Sequence, residues 1–423
     1  MRALYSLLFF LLIPFILIRL LWRSIKAPAY RHRWHERLGF YPNSPHRIDI
    51  WFHAVSVGEA EAVFPLVRKI QHHHPDARLL ITTTTPTGSA RVTSTLQDTV
   101  EHVYLPYDIP IVINRFMLHF NPRIGVIMET EIWPNLFAAC GAHKIPLYII
   151  NARLSEKSSR GYQKIPSLIQ PALANVELIG TQSKEDADRF ITIGAPPDIV
   201  KTLGNIKYDV EIPQTIVVQG LQLKEDLFAE RFVWLIASTH KGEEILFLDI
   251  FKELKAKIPA LLLVFVPRHP ERFGEVKKLC ELQNFNVITR TSQLATSPQT
   301  DIYLVDTMGE LKMFYAAADS AFVGGSMVPK GGHNILEAAA IGVPVLFGPF
   351  MSNFKDIAHG VLKHQAGIQC PDKEAVIAAM LNLYTRADDR QALIAKGKRF
   401  IDQNQGAIHR IYTILEQALN KIN

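Results

Sequence analysis

The chain has 423 residues, a natural length for two domains of about 200 residues each. Hydrophobic residues make up 48% and charged residues 20%, which excludes a disordered or fibrous chain. The formal net charge is +6, and residues 1–40 hold seven Lys/Arg against one acid, Glu36, so the remainder is balanced. That balance excludes a nucleic-acid groove running over the whole protein. Three widely spaced cysteines, Cys140, Cys280 and Cys370, exclude a disulfide framework and a CxxC zinc site. A reducing compartment fits them.

Residues 4–22, LYSLLFFLLIPFILIRLLW, are apolar except for Ser6 and Arg19. As a helix they reach roughly 28 Å, close to the hydrocarbon thickness of a bilayer. Residues 1–27 therefore read as a membrane anchor, and spanning the bilayer or lying in its interface are both open. A cleaved signal peptide is the rival, because Ala27-Pro28-Ala29 has the A-x-A form of a cleavage site. Arg19, Arg23 and Lys26 would crowd the region before that site, and only Arg2 charges its start. The charge bias places the globular part on the cytoplasmic side. Next comes AYRHRWHERLGF (29–40), where basic and aromatic residues interleave. Arg31, Arg33, Trp34 and Arg37 are candidates for contact with a membrane surface or with a phosphorylated, acylated substrate. The plainer reading is a linker helix with a solvated basic face.

From residue 48 onward, apolar runs alternate with helical patterns. The first set is 48–54, 78–84, 123–129, 145–150 and 176–181. The second is 232–239, 260–268, 301–306, 320–325 and 343–348, with a linker expected over 210–222 after a strand-like VKTLGN (200–205). Runs of this kind predict buried parallel strands. The fold class is α/β, with two Rossmann-like domains facing a cleft at 28–212 and 213–423. The final stretch, 391–420, is helical, and its packing partner is not visible in the sequence. Ligands in such sheets bind beyond the carboxyl ends of the strands, so those ends hold the candidate residues.

Five groups of strand-end motifs stand out, with a sixth short loop beside them. HAVSVGEAEA (53–62) opens a helix with Glu59 in its first turn, where the helix dipole favours an ionised general base; a simple capping role is the rival. METEIWPN (128–135) carries Glu129 and Glu131, which share a face if the segment is extended. NARLSEKS (151–158), QSKED (182–186) and GNIKYD (204–209) place Arg153, Ser183 and Lys207 at further ends. In VPRHPERF (266–273), Pro267 and Pro270 stiffen a loop presenting Arg268 and His269, groups suited to phosphate. The strongest is FVGGSMVPKGGHNILEAAAIGVPVLFGP (322–349). Its glycines allow close backbone approach, and His333-Asn334 open a helix, Ile335 onward, whose dipole favours an anion and whose Glu337 suits ribose hydroxyls. DTMGEL (306–311) adds Met308, Gly309 and Glu310. Neither a Walker A motif nor a GxGxxG after the first strand is present, and His72-His73-His74 reads as solvated surface.

The strings HAVSVGE, METEIWPN, GNIKYD, VPRHPERF, DTMGEL and GGHNILEAAA resemble, in order and over essentially the whole chain, those of 3-deoxy-D-manno-octulosonic acid (Kdo) transferases of the GT-B type. The resemblance implies an inverting, metal-independent enzyme without a cofactor, moving Kdo from CMP-Kdo to a lipid A precursor at the inner membrane. It implies Glu59 as catalytic base, with Glu129 and Lys207 supporting the transition state. CMP contacts fall on Pro267, Arg268, His269, Met308, Gly309, Glu310, Asn334, Ile335, Leu336 and Glu337. The sequence departs from the pattern at Ile335 and Ala338, where prolines are expected. A sugar-nucleotide epimerase of the same fold and a non-catalytic, membrane-tethered nucleotide-binding scaffold are the alternatives, and the oligomeric state is open.

Overall fold

β-branched and aliphatic runs become parallel strands here because helices on both sides give every strand face an apolar partner. The computed structural model, which describes residues 1–422, sorts the strands into two units. One unit is Met1–Asp209 together with the stretch from Gln405; the other is Val210–Asn404. The first contains β1 (Ile50–His53), β2 (Leu79–Thr83), β3 (Glu101–Tyr104), β4 (Ile124–Met128), β5 (Leu147–Ala152), β6 (Val176–Thr181) and β7 (Val200–Thr202). Their order is β3-β2-β1-β4-β5-β6-β7. The chain thus reverses direction across the sheet at β1, whose Ile50 pairs with Leu79 on one side and Ile124 on the other.

The second unit contains β8 (Phe232–Thr239), β9 (Leu261–Pro267), β10 (Val287–Thr289), β11 (Ile302–Leu304), β12 (Ser320–Val323), β13 (Val345–Phe347) and β14 (Ile368–Gln369). The order β10-β11-β9-β8-β12-β13-β14 again reverses at the first strand. Both sheets are parallel, and the expected α/β class holds.

Three expectations need correction. Residues 210–222 are not a free linker, because Gln214–Leu223 is a helix of the second unit. Gly220 lies so close to the helix Leu311–Ala316 that an added Cβ would stand 2.3 Å from the Met313 carbonyl. The 213–423 domain is also too long. The helix Ala407–Ile422 joins the first unit, where Ile408, Ile411, Leu415 and Leu419 enter the core beside Val63, Val67 and Ile70. Asp209 fixes the crossing by accepting from the Gly406 and Ile408 N–H groups, and Arg410 Nε donates to Leu203 O at 2.8 Å.

The third correction concerns the basic segment. Arg37 is buried, stacks at 4.1 Å over the Tyr104 ring, and donates to Thr84 O. Arg33 donates to His102 O at 2.6 Å, and Glu36 accepts from Tyr104 N–H at 2.8 Å. Those are the free backbone groups of β3, an edge strand. Residues 33–37 therefore close a sheet edge that would otherwise stand open, and Arg33 and Arg37 are not available to headgroups. Arg31 donates to Ser24 Oγ of the preceding helix, and Trp34 to Tyr30 O within the segment.

The packing of the last helix yields a prediction. Leu415→Ala should cost about 2–5 kcal/mol at its site. Hydrogen exchange should accelerate in β1, β2 and the helix Val57–His73 while β8 and β9 stay protected. Equal acceleration in both sheets would contradict this assignment of the helix.

Candidate active site

The switch point of the first sheet lies between β1 and β4, and the acids cluster there. Ser56 caps the helix Val57–His73, its hydroxyl accepting from Glu59 N–H and donating to Glu59 Oε1 at 2.9 Å. Glu59 Oε2 accepts from Val55 N–H at 2.8 Å. Both oxygens are thereby oriented, and each keeps a lone pair for a further proton. Burial raises the Glu59 pKa above the ordinary carboxylate value, opposed by the Val55 N–H and reinforced by the charge of Glu129. The capping contacts leave the carboxylate able to take a proton, so they do not exclude a base role.

Glu129 does not continue the strand. Its φ is +56°, so the METE segment turns at once and the shared-face expectation fails. The turn directs a buried carboxylate at two cations: Arg153 Nε lies 2.8 Å from Oε2, and Lys207 Nζ lies 3.9 Å from Oε1. Glu131 stands outside these ion pairs but within electrostatic reach of both acids. Its half-buried carboxyl is pushed up to about 7 by burial, then by the charges of Glu59 and Glu129.

Lys207 is positioned by a polar chain that links three strand ends. Asn151 Oδ1 accepts from Ile206 N–H, and Asn205 Oδ1 accepts from Lys207 N–H at 2.9 Å. Asn205 donates to Gln182, whose amide donates to Asn151 O. The motifs at 151, 182 and 204 are therefore one construction. His53, by contrast, is fully buried against Thr82, and burial lowers its pKa to about 4. It packs as a neutral ring.

In the second unit the switch point lies between β8 and β12. Arg268 and His269 follow β9 and are exposed; Pro267 is the buried last residue of that strand. His240 and His333 meet with Nε2 atoms 2.8 Å apart and ring planes within 6°. One nitrogen must donate and the other accept. His333 is lowered to about 4 by burial and then by Arg268, and burial also lowers His240, so the pair is neutral at neutral pH. Glu337 lies 4.0 Å from Lys312, and burial raises its pKa against the charges of Lys312 and Arg268.

Around the remaining candidates the picture is mixed. Met308 is exposed and Gly309 has φ +88°, a turn only glycine adopts freely. Burial would raise Glu310, but Arg290 at 2.9 Å and Thr307 outweigh it and lower its pKa. Ile335 and Leu336 are fully buried, backbone included, so neither of these expected CMP contacts is open to a ligand. The helix expected to supply a dipole is just Leu336–Ile341, and Asn334 Oδ1 already occupies the Leu336 N–H. The anion-binding weight falls on side chains and loop instead. Among the described residues no group of three or more His, Cys, Asp or Glu is disposed to hold a metal ion.

Sequence reasoning missed Glu243. Fully buried in the first turn of the helix Glu243–Lys255, it accepts from the N–H groups of His240, Gly325, Ser326 and Met327 at 2.7–3.2 Å. One carboxylate thus shapes the glycine-rich loop. The signal was its place three residues after His240 at the end of β8. Glu243→Gln would aim an amide N–H₂ at backbone donors and should cost about 2–3 kcal/mol. The amides of Gly325–Met327 should then exchange faster than in the parent protein; unchanged exchange would show that the loop holds its own shape.

With this geometry in view, comparison with known proteins identifies the family. The family model for 3-deoxy-D-manno-octulosonic-acid transferase matches residues 32–210. The 3-deoxy-D-manno-octulosonic acid transferase of Haemophilus influenzae is 38% identical over 99% of both chains. That of Bordetella pertussis is 33% identical over 90% of each. Among solved structures, a putative UDP-N-acetylglucosamine 2-epimerase from Listeria monocytogenes covers 89% of this chain and 98% of its own, with a TM-score of 0.54 and 14% identity. That likeness is one of fold alone. The relatives at 33–38% identity, nearly end to end, decide the matter: this chain belongs to the Kdo transferase family.

Proposed function

We propose that this chain, a glycosyltransferase using CMP-Kdo, moves Kdo with inversion to a lipid A precursor in lipopolysaccharide biosynthesis, at the cytoplasmic face of the inner membrane. The observation that carries the reading is the cluster of Glu59, Glu129, Glu131, Arg153 and Lys207 at the switch point of the first sheet. In this reading the first unit serves the acceptor and the second the donor.

Glu59 takes the proton from the acceptor hydroxyl as that oxygen attacks the anomeric carbon of Kdo. The bond from that carbon to the phosphate oxygen breaks, and CMP leaves with the electron pair. An ionised carboxyl with a raised pKa is the stronger base for this step. Lys207 stands at 3.9 Å from Glu129 and keeps donors for developing charge, while Arg153 holds Glu129 in place. In the second unit, Arg268 and His269 supply phosphate contacts, Met308, Gly309 and Glu310 a loop, and Asn334 and Glu337 polar groups for the nucleoside. The chemistry needs charge stabilisation at the leaving phosphate rather than a general acid, and in this reading the side chains of Arg268 and His269 supply it, so the proposal includes no metal and no cofactor.

Glu59→Gln should retain CMP binding and lower turnover by roughly 10²–10⁴-fold. In the parent enzyme kcat/KM should fall on acidification at a pH above the ordinary carboxylate value, because the base is lost as pH drops through a raised pKa. Glu129→Gln removes a negative neighbour and releases Arg153 and Lys207, so that acid limb should move to lower pH in what activity remains. A limb that moves upward would break the assignment.

Arg268→Ala should weaken CMP far more than cytidine, by calorimetry, because a charge-assisted phosphate contact is lost. If the variant keeps the parent preference for CMP, Arg268 is not on the phosphate.

A further inference from the structure

By length and composition the helix Arg2–Lys26 could thread a membrane. It reaches about 37 Å, and its apolar window has a mean hydropathy of 2.4. Its packing says otherwise. Tyr5, Ser6, Phe9, Ile13, Ile16, Leu17 and Leu20 are half-buried and Ser24 is buried, whereas their neighbours are exposed. That spacing is a single helical stripe running almost the whole length.

Both ends of the stripe are tied to the first unit. Near one end, Ser6 Oγ lies 3.0 Å from Asn135 Oδ1, and the Phe9 ring lies 6.5 Å from Tyr107. Near the other, Arg31 donates to Ser24, and Arg33, two residues on, is locked to His102 and β3. Ser6 and Ser24 are separated by about 27 Å of helix. A helix held at both ends against one body has no free length with which to cross a bilayer.

The opposite stripe is where the lipid belongs. Leu7, Leu11, Phe15, Ile18, Trp22 and Ile25 follow helical spacing and are 56–70% exposed. The helix Pro110–Phe120, which follows Tyr107 in the chain, adds exposed apolar residues of its own, with Ile111 and Leu118 more than 60% exposed. Arg2, Arg19 and Arg23 lie along the helix, where long stems let guanidinium groups reach headgroups while the apolar stripe sinks. A partner helix would need a narrower seam; a face this broad and wholly apolar suits acyl chains.

We propose that the helix Arg2–Lys26 lies in the plane of the membrane interface, docked lengthwise on the first unit, and does not span the bilayer. Asn135, which meets Ser6, ends the METEIWPN segment that carries Glu129 and Glu131. Lengthwise docking therefore fixes the lipid surface relative to the acidic cluster, so that a lipid-borne acceptor reaches the base without leaving its leaflet. This placement rests on the membrane reading above.

The test asks whether the two ends of the chain's first helix and its globular part share one side of the membrane. Cys140, Cys280 and Cys370 are buried, so an added surface cysteine dominates labelling by a membrane-impermeant maleimide. Arg2→Cys, with Ala3→Cys as a second variant beside the lipid-facing stripe, is compared with Lys257→Cys on the exposed surface of the second unit. Spheroplasts and inverted inner-membrane vesicles of the expressing cell carry the full-length variants. The proposal expects Arg2→Cys and Ala3→Cys to label from the same side as Lys257→Cys. Labelling from the opposite side, or no labelling at either position while Lys257→Cys reacts, overturns it. If all three label in spheroplasts, the cytoplasmic assignment falls while the in-plane helix stands.

Discussion

Each unit depends on one interaction, a carboxylate in the first turn of the helix that follows the first strand, accepting backbone N–H groups that the strand end leaves unpaired. Glu59 takes the Val55 N–H and the Ser56 hydroxyl; Glu243 takes four N–H groups from His240 and the glycine-rich loop. The difference is saturation. Glu243, fully buried and fourfold bonded, has no capacity left and serves as a structural pin. Glu59, half-buried and twofold bonded, is oriented yet still able to accept a proton. The same local device therefore gives a saturated structural pin in one sheet and a carboxylate with proton capacity, the proposed base, in the other.

The first unit shows how far such a sheet is assembled from remote pieces. Its edge strand β3 is covered by residues 33–37, and its core is completed by a helix from the far end of the chain. Both additions remove what a parallel sheet cannot leave exposed, an open hydrogen-bonding edge and an apolar helix face. The charge concentrated in residues 1–40 is consequently divided. Arg33 and Arg37 act inside the fold, whereas Arg2, Arg19 and Arg23 lie along the apolar helix.

The legible parts of the fold were the central strands. Residues 176–181 and 232–239 form β6 and β8 at the expected bounds, and the other long runs match within a few residues. The strands left unread, β3, β10 and β14, all sit at sheet edges, where half-exposed sequences such as EHVY and VIT carry no continuous apolar run. At the site, Glu59, Glu129 and Arg268 could be picked out because each follows an apolar strand, whereas Lys207 follows the short, exposed strand VKT and stood out through the GNIKYD motif. Glu131's separation from Glu129 could not, since it depends on a left-handed residue that the letters METE do not announce. Nor could the neutral His240–His333 pair, whose members are 93 residues apart and meet only through the order of β8 and β12.

Under the proposed function, electrostatics explains why base and leaving-group site are built on different sheets. Arg268, with Lys330 nearby, makes a cationic strand end, and its charge acts on His333 and Glu337. Cations of that density beside Glu59 would stabilise its ionised form and lower its pKa, leaving a weaker base. The first sheet avoids this by matching Arg153 and Lys207 to Glu129, so that the net field on Glu59 remains that of burial and a neighbouring acid. A nucleotide phosphate needs the opposite field, with positive charge left unmatched until the ligand arrives. One strand end cannot supply both fields, and two separately wound sheets, each with its own switch point, can.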